Sequence, residues 1–271
     1  MGGTMLVGVD GTVAGRTAVG WAVDWARAHG QRVEMVHVVD DERGRLRSRA
    51  LRDREEEAVA LLSREVEVAR ADESGVEVGS RVLVGHPLSR WSEASRSAAG
   101  VVVGTHKTGY AGGRVFGSFG LRLASVTRSP LFVIPTDGRR QRRRVVVGVD
   151  DAEERSAAVE FAARAAFTAG HELVVLRAAS GLHGVEDCRL LDRAAATARA
   201  TAPSLAVHSR RSRVPAGESL AVASESAELT VVGRDTALAL GATGTDLLMN
   251  PGGPVAVIPL TITRPVAGSM C

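Results

Sequence analysis

A chain of 271 residues, 45% hydrophobic and 24% charged, has the balance of a globular protein, and either half is long enough to bury a core of its own. Aromatic residues are only 3%, so the core must come from Val, Leu, Ile and Ala, which favours buried parallel strands under Ala-rich helices. The formal charge is +3, and two cysteines without a CxxC beside seven scattered histidines argue against a disulfide framework or a metal site.

The chain opens on the apolar run MLVGVD at 5–10, with no basic leader before it and no apolar run long enough to span a membrane. That pattern is expected of a reduced, cytoplasmic protein with no membrane partner. An amphipathic stretch from Thr17 to Gly30 predicts a helix, Val33–Val39 a strand, and Leu51–Ala71 a helix with a charged face. Val76–Val84 reads as a strand leading into Gly85-His86-Pro87-Leu88, where proline suits a helix start. Strands at Val101–Gly104 and Pro130–Pro135 follow, with a helix opened by Gly117-Ser118 between them.

The same order then recurs. VVVGVD at 145–150 repeats MLVGVD, Phe161 repeats Trp21 within the next helix, and Glu172–Ala178 repeats the second strand. A shorter helix, about 185–201, a strand at Leu205–Val214, Pro215, Val231-Val232-Gly233 and the run Pro254–Pro259 complete the second copy. The expected fold is α/β: two doubly wound domains, each a five-stranded, mostly parallel open sheet with helices on both faces. The boundaries are 1–137, an Arg-rich linker at 138–144, 145–264, and a tail at 265–271. Arg139, Arg140, Arg142, Arg143 and Arg144 read as a solvated, self-repelling seam; without stacking aromatics or a recognition helix, nucleic acid is disfavoured as a partner. The proline-bracketed final strands look like edges, expected to meet each other or a second copy in a homodimer.

Ligands of open parallel sheets bind beyond the C-terminal strand ends, where strand order reverses. The first-half candidates are Asp10, the segment Val38–Asp40, and the glycine-rich stretch from Val103 to Gly117-Ser118. Glycine lets backbone N–H groups approach phosphate oxygens, and a serine at a helix start can cap the helix and donate to an anion. Asp10 at a strand end has a second reading, as a cap for the next helix or an acceptor for loop amides.

VGVDGT, the HVVD at His37–Asp40, and the segment from Gly104 through Gly117-Ser118 to PLFVIP resemble the universal stress protein family in its tandem form. Nucleotide-binding members of that family carry Gly-x2-Gly-x9-Gly-Ser/Thr. Gly104 and Gly117-Ser118 keep the spacing, while Lys107 replaces the middle glycine. The resemblance implies an ATP site, with magnesium on the phosphates. Gly8 and Val38 would line the base pocket, and Asp10 would lie near adenine or ribose. Val103 and Gly104 would contact adenosine, and Gly117 and Ser118 would hold phosphates. Lys107, the chain's one lysine, has three readings: a phosphate contact, an obstruction of the backbone approach, or a solvated loop residue.

In the second half Asp150 repeats Asp10, but eleven residues separate Gly233 from Gly244 against thirteen from Gly104 to Gly117. The expectation is a degenerate site, with Arg234 read first as solvated and second as a partner for an anion. No GxxxxGK[ST] is present, no GxGxxG follows the first strand, and Ser219 reads as a helix-face serine rather than a nucleophile. The resemblance therefore implies a stress-response regulator with an unidentified protein partner and at most slow ATP hydrolysis. The alternative is a nucleotide-free scaffold of the same fold.

Overall fold

The computed structural model describes residues 2–41, 48–71, 75–105, 110–111, 114–115, 118–136, 143–150, 156–178, 184–234 and 240–259. In chain order the first repeat runs β1 (Thr4–Gly8), α1 (Val13–His29), β2 (Arg32–Val39), α2 (Ser48–Ala71), β3 (Val78–Val84), α3 (Pro87–Ala94) and β4 (Gly100–Thr105). A hairpin of β5 (Tyr110–Ala111) and β6 (Arg114–Val115) follows, then α4 (Ser118–Val126) and β7 (Leu131–Pro135). The second repeat runs β8 (Arg144–Gly148), α5 (Ser156–Ala169), β9 (Glu172–Ala178), α6 (Gly184–Thr201) and β10 (Val207–Ser212). It ends with α7 (Ala216–Ser224), β11 (Leu229–Arg234), α8 (Ala242–Met249) and β12 (Val255–Pro259). The doubly wound α/β expectation holds, with five strands from each repeat besides the short hairpin.

The described residues group into two compact units, one holding the chain up to Gly104 with Val126–Leu131, the other Thr105–Ser125 and the chain from Phe132. Within the first, the strand order is β4-β1-β2-β3. β1 pairs in parallel with both β2 and β4, so strand order reverses beside it. α1 starts at Val13, four residues earlier than periodicity predicts. Thr12 takes an extended conformation and its hydroxyl accepts from the Gly15 amide at 3.1 Å, a cap that fixes the first turn. Gly30 closes the helix in the left-handed region at φ 62°. Pro87 stands at the start of α3, as expected. The β1 core residues Met5, Leu6 and Val7 are almost fully buried, and so are Met35 and Val36 of β2.

In the second unit the order is β10-β9-β8-β11-β12-β7. β8 pairs in parallel with β9 and β11, placing the reversal beside β8. β12 lies between β11 and β7, so the two final strands meet each other, one of the two arrangements expected. Phe132 of β7 meets Phe161 of α5 with ring centroids 6.0 Å apart. α7 follows Pro215, again as the proline position predicts.

The repeat extends to individual hydrogen bonds. Val9 N donates to Val36 O and Val149 N to Leu176 O, each at 3.0 Å. Ala99 N donates to Thr4 O as Glu228 N does to Arg144 O, both at 2.8 Å. A fully buried serine ends each of the helices α3 and α7. Ser95 Oγ accepts from Arg128 N at 2.9 Å, and Ser224 Oγ from Gly252 N at 2.8 Å. Each serine satisfies a backbone amide just before a final strand, which a buried amide requires.

Candidate functional site: two strand-end clefts

In the first half, β1 delivers Gly8, Val9 and Asp10 to the point where strand order reverses. Asp10 is exposed, and its Oδ1 accepts from Thr12 N at 3.0 Å and from Thr12 Oγ1 at 2.7 Å. The helix-capping role is therefore real, since the carboxylate fixes the threonine that caps α1. A Cβ on Gly15 would lie 2.7 Å from Asp10 Oδ1, so the carboxylate rests on the first turn of α1.

Gly104, at the end of β4, has a backbone reason to be glycine. A Cβ there would run into the Ala14 carbonyl and lie 2.8 Å from the Gly15 amide. The end of β4 thus abuts the positive N-terminal turn of α1. Gly8 is similarly tight: a Cβ would be 3.2 Å from Val103 Cγ1 and 3.4 Å from Trp91 Cζ2. Trp91, 3% exposed on α3, forms the floor under Gly8. Sequence reading missed it, although a tryptophan four residues after the helix-opening proline was a signal. His37 Nδ1 donates to Val9 O at 2.6 Å, which fixes the ring beside the half-buried Val38. Arg16 Nε reaches the buried Glu65 Oε1 at 3.0 Å, tying α1 to α2 behind the cleft.

The structure thus brings Gly8, Asp10, Val38, Val103 and Gly104 to neighbouring strand ends. Lys107 and Gly117 lie outside the described residues, as does the side chain of Ser118, whose backbone opens α4.

In the second half the corresponding cleft is a cavity of about 250 Å³. Asp150, Arg177, Leu220, Gly233, Arg234 and Gly244 are among its lining residues. Register makes the correspondence exact to the residue: Gly8 pairs with Val36 as Gly148 pairs with Leu176, so Arg177 replaces His37 and Ala178 replaces Val38. Arg177 keeps the histidine's job, with Nη1 donating to Val149 O at 3.4 Å, while Nε meets Asp187 Oδ1 at 3.0 Å. Val7 pairs with Val102 as Val147 pairs with Val231, so Arg234 stands where the first half has Thr105. The expectation of a solvated Arg234 is wrong. Its side chain is folded inward, 6% exposed, and Nη1 donates to Ser125 O at 3.2 Å. Burial holds because a carbonyl acceptor is within reach, the condition for hiding a guanidinium. Leu220 takes the place of Trp91 against the strand-one glycine, 2.9 Å from a Cβ built on Gly148.

Ser219 sits in α7, with Oγ 2.7 Å from Ser212 Oγ and 2.9 Å from Val214 O. It is a helix-face serine, as read. Among the described residues no group of three or more His, Cys, Asp or Glu could hold a metal ion, and no helix is long and apolar enough to cross a membrane.

Two doubly wound repeats, each with an acid after strand one and a glycine at the end of strand four, define a class of α/β proteins with clefts at the strand ends. Residues 1–135 match the Universal stress protein family, and through this N-terminal half the chain belongs to that family. The Universal stress protein Rv1996 of Mycobacterium tuberculosis is 28% identical over 208 residues, covering 69% of this chain and 66% of the relative. The chain therefore spans just under two thirds of that relative's length. A crystal structure of a universal stress protein from Archaeoglobus fulgidus is 15% identical, with a TM-score of 0.75 and 95% of this chain and 96% of that one covered. That likeness shows the fold over both halves. A universal stress protein solved in complex with cAMP is 21% identical, covers 44% of this chain and 98% of its own, and has a TM-score of 0.39.

Proposed function

We propose that the chain is a cytoplasmic stress-response regulator that binds ATP, chiefly in its N-terminal half, and carries no robust catalytic activity. The observation that supports this is the close approach of β4 to α1 at Gly104. With no Cβ there, the ends of β1 and β4 and the first turn of α1 meet around Asp10. A helix N-terminus facing strand-end amides is suited to a polyanion.

In this reading Gly8, Val38 and Val103 hold the base, and Asp10 accepts from the ribose. Gly104 contacts the adenosine with Val103, and Lys107, Gly117 and Ser118 hold the phosphates. Magnesium enters on those phosphates. Nucleotide occupancy then biases the binding of a regulatory protein partner. One observation favours occupancy of the second half as well: its cleft is open to about 250 Å³ despite the shorter loop.

Protein purified without added nucleotide, denatured and chromatographed, is expected to release adenine nucleotide. Added Mg-ATP is expected to raise the melting temperature, since a ligand of the native state alone must stabilise it. Empty protein that also shows no thermal shift would support the nucleotide-free scaffold instead.

A further inference from the structure

The two repeats differ on the sheet face under their third helices, and on that face the C-terminal half has a second cavity. In the first half, Glu34 of β2 and Arg81 of β3 form an ion pair across that face, Arg81 Nη2 to Glu34 Oε2 at 3.1 Å. Leu6 pairs with Glu34 as Val146 pairs with Val174, so Val174 stands where the glutamate was. Val36 pairs with Arg81 as Leu176 pairs with Arg210, so the arginine has been kept. One half has a carboxylate for its arginine. The other has a valine.

A groove of about 230 Å³ lies between α7 and the outer strands. Val146, Val174 and Leu176 line its sheet side, and Val222 and Ala223 its helix side. Val222 is 62% exposed, an apolar side chain presented to solvent at the mouth. Arg144 and Arg210 line the same groove, with Glu218. Arg144 is engaged by Glu172 Oε1 at 3.4 Å. Arg210 is exposed and, among the described residues, has no ion-pair partner. The groove has an apolar floor and a polar surround, in which Ser212, Ser226 and Glu218 join the two arginines, and it shares Leu176 and Ser219 with the strand-end cleft.

We infer that this groove is a binding site for a small amphiphilic carboxylate, an acyl chain or single ring carrying one carboxyl group. The carboxylate supplies to Arg210 what Glu34 supplies to Arg81, and the apolar part covers Val146, Val174 and Val222. Size fits the class. A dry cavity of about 150 Å³ holds a benzene ring, and drug-sized ligands fill about 300–1,000 Å³. A groove between those limits takes a ring or medium chain with its head group. Most of the affinity comes from apolar burial, and the exposed ion pair adds a few-fold and selects the charge.

Octanoate titrated into the full chain, followed by calorimetry and by chemical-shift changes of the valine methyls, tests the site. Saturable binding near one equivalent is expected. Arg210→Gln, an exposed change, should weaken octanoate roughly two- to fivefold while leaving 1-octanol unaffected. Val174→Glu recreates the first half's ion pair and should abolish both, and retained circular dichroism and Mg-ATP response would show that the fold persists. Absence of saturable octanoate binding to the native chain, or binding that survives Val174→Glu, overturns the inference.

Discussion

Gly104 and Gly148 both look like strand-end glycines in the sequence, yet their surroundings set different penalties. A methyl at Gly104 meets the Ala14 backbone, which cannot move without dislodging α1. One at Gly148 meets the Leu220 side chain at 2.9 Å, which can rotate away. Gly104→Ala is expected to cost more than the roughly 1–3 kcal/mol typical of an overpacked core, and Gly148→Ala about 1 kcal/mol or less; urea midpoints of the two variants check the order. His29 makes the second residue-scale case. Its ring stacks on Trp25 at 4.0 Å and Nδ1 donates to Trp25 O at 2.8 Å. Burial pushes the imidazole below its ordinary value of 6.5, outweighing the raising effect of that hydrogen bond. The unfolded chain therefore takes up a proton more readily than the folded one. Stability from this group is complete above pH 6.5 and is lost as pH falls through the lowered native value. His29→Gln should flatten the fall in stability between about pH 7 and 5, measured by urea unfolding; an unchanged slope would show that the ring is not the source. The places of Asp10 and Gly104 at strand ends were legible from the apolar runs that carry them, and the backbone contact that requires glycine at Gly104 is the packing against Ala14. Arg234 was misread, since its burial depends on the Ser125 carbonyl, which lies 109 residues away in the chain.

Among the elements, the two halves place their helix-tying ion pairs differently, and only the second half's pair is buried on both sides. The first ties α1 to α2 through Arg16 and Glu65, and the second ties β9 to α6 through Arg177 and Asp187, both side chains under 10% exposed. Removing one partner of a buried pair leaves an uncompensated charge, so Asp187→Ala is expected to cost about 3–5 kcal/mol. The first half has His37 at the equivalent of Arg177, without a carboxylate partner among the described residues. The double variant Arg177→His with Asp187→Ala should recover most of that loss in urea melts; full additivity of the two changes would refute the coupling. The strands and long helices of both repeats were legible from apolar runs and 3.6-residue periodicity, and α3 and α7 from Pro87 and Pro215. The early start of α1 was not, because it depends on the Asp10–Thr12–Gly15 hydrogen bonds rather than on an apolar stripe. The β5–β6 hairpin, two residues per strand, is too short to leave a periodic signature.

For the molecule as a whole, the two repeats share backbone geometry and differ in side chains. The hydrogen bonds at Val9 and Val149, and at Ser95 and Ser224, repeat to within about 0.1 Å. The residues at the clefts and on the α7 face have diverged to different charge and size. ATP-dependent stabilisation should therefore depend on which half is altered, and the central claim is that the N-terminal half dominates. Calorimetric titration of Mg-ATP into the native chain, Asp10→Ala and Asp150→Ala tests this most directly. Affinity should fall sharply in Asp10→Ala and little in Asp150→Ala. An isotherm unchanged by Asp10→Ala would contradict an N-terminal nucleotide site.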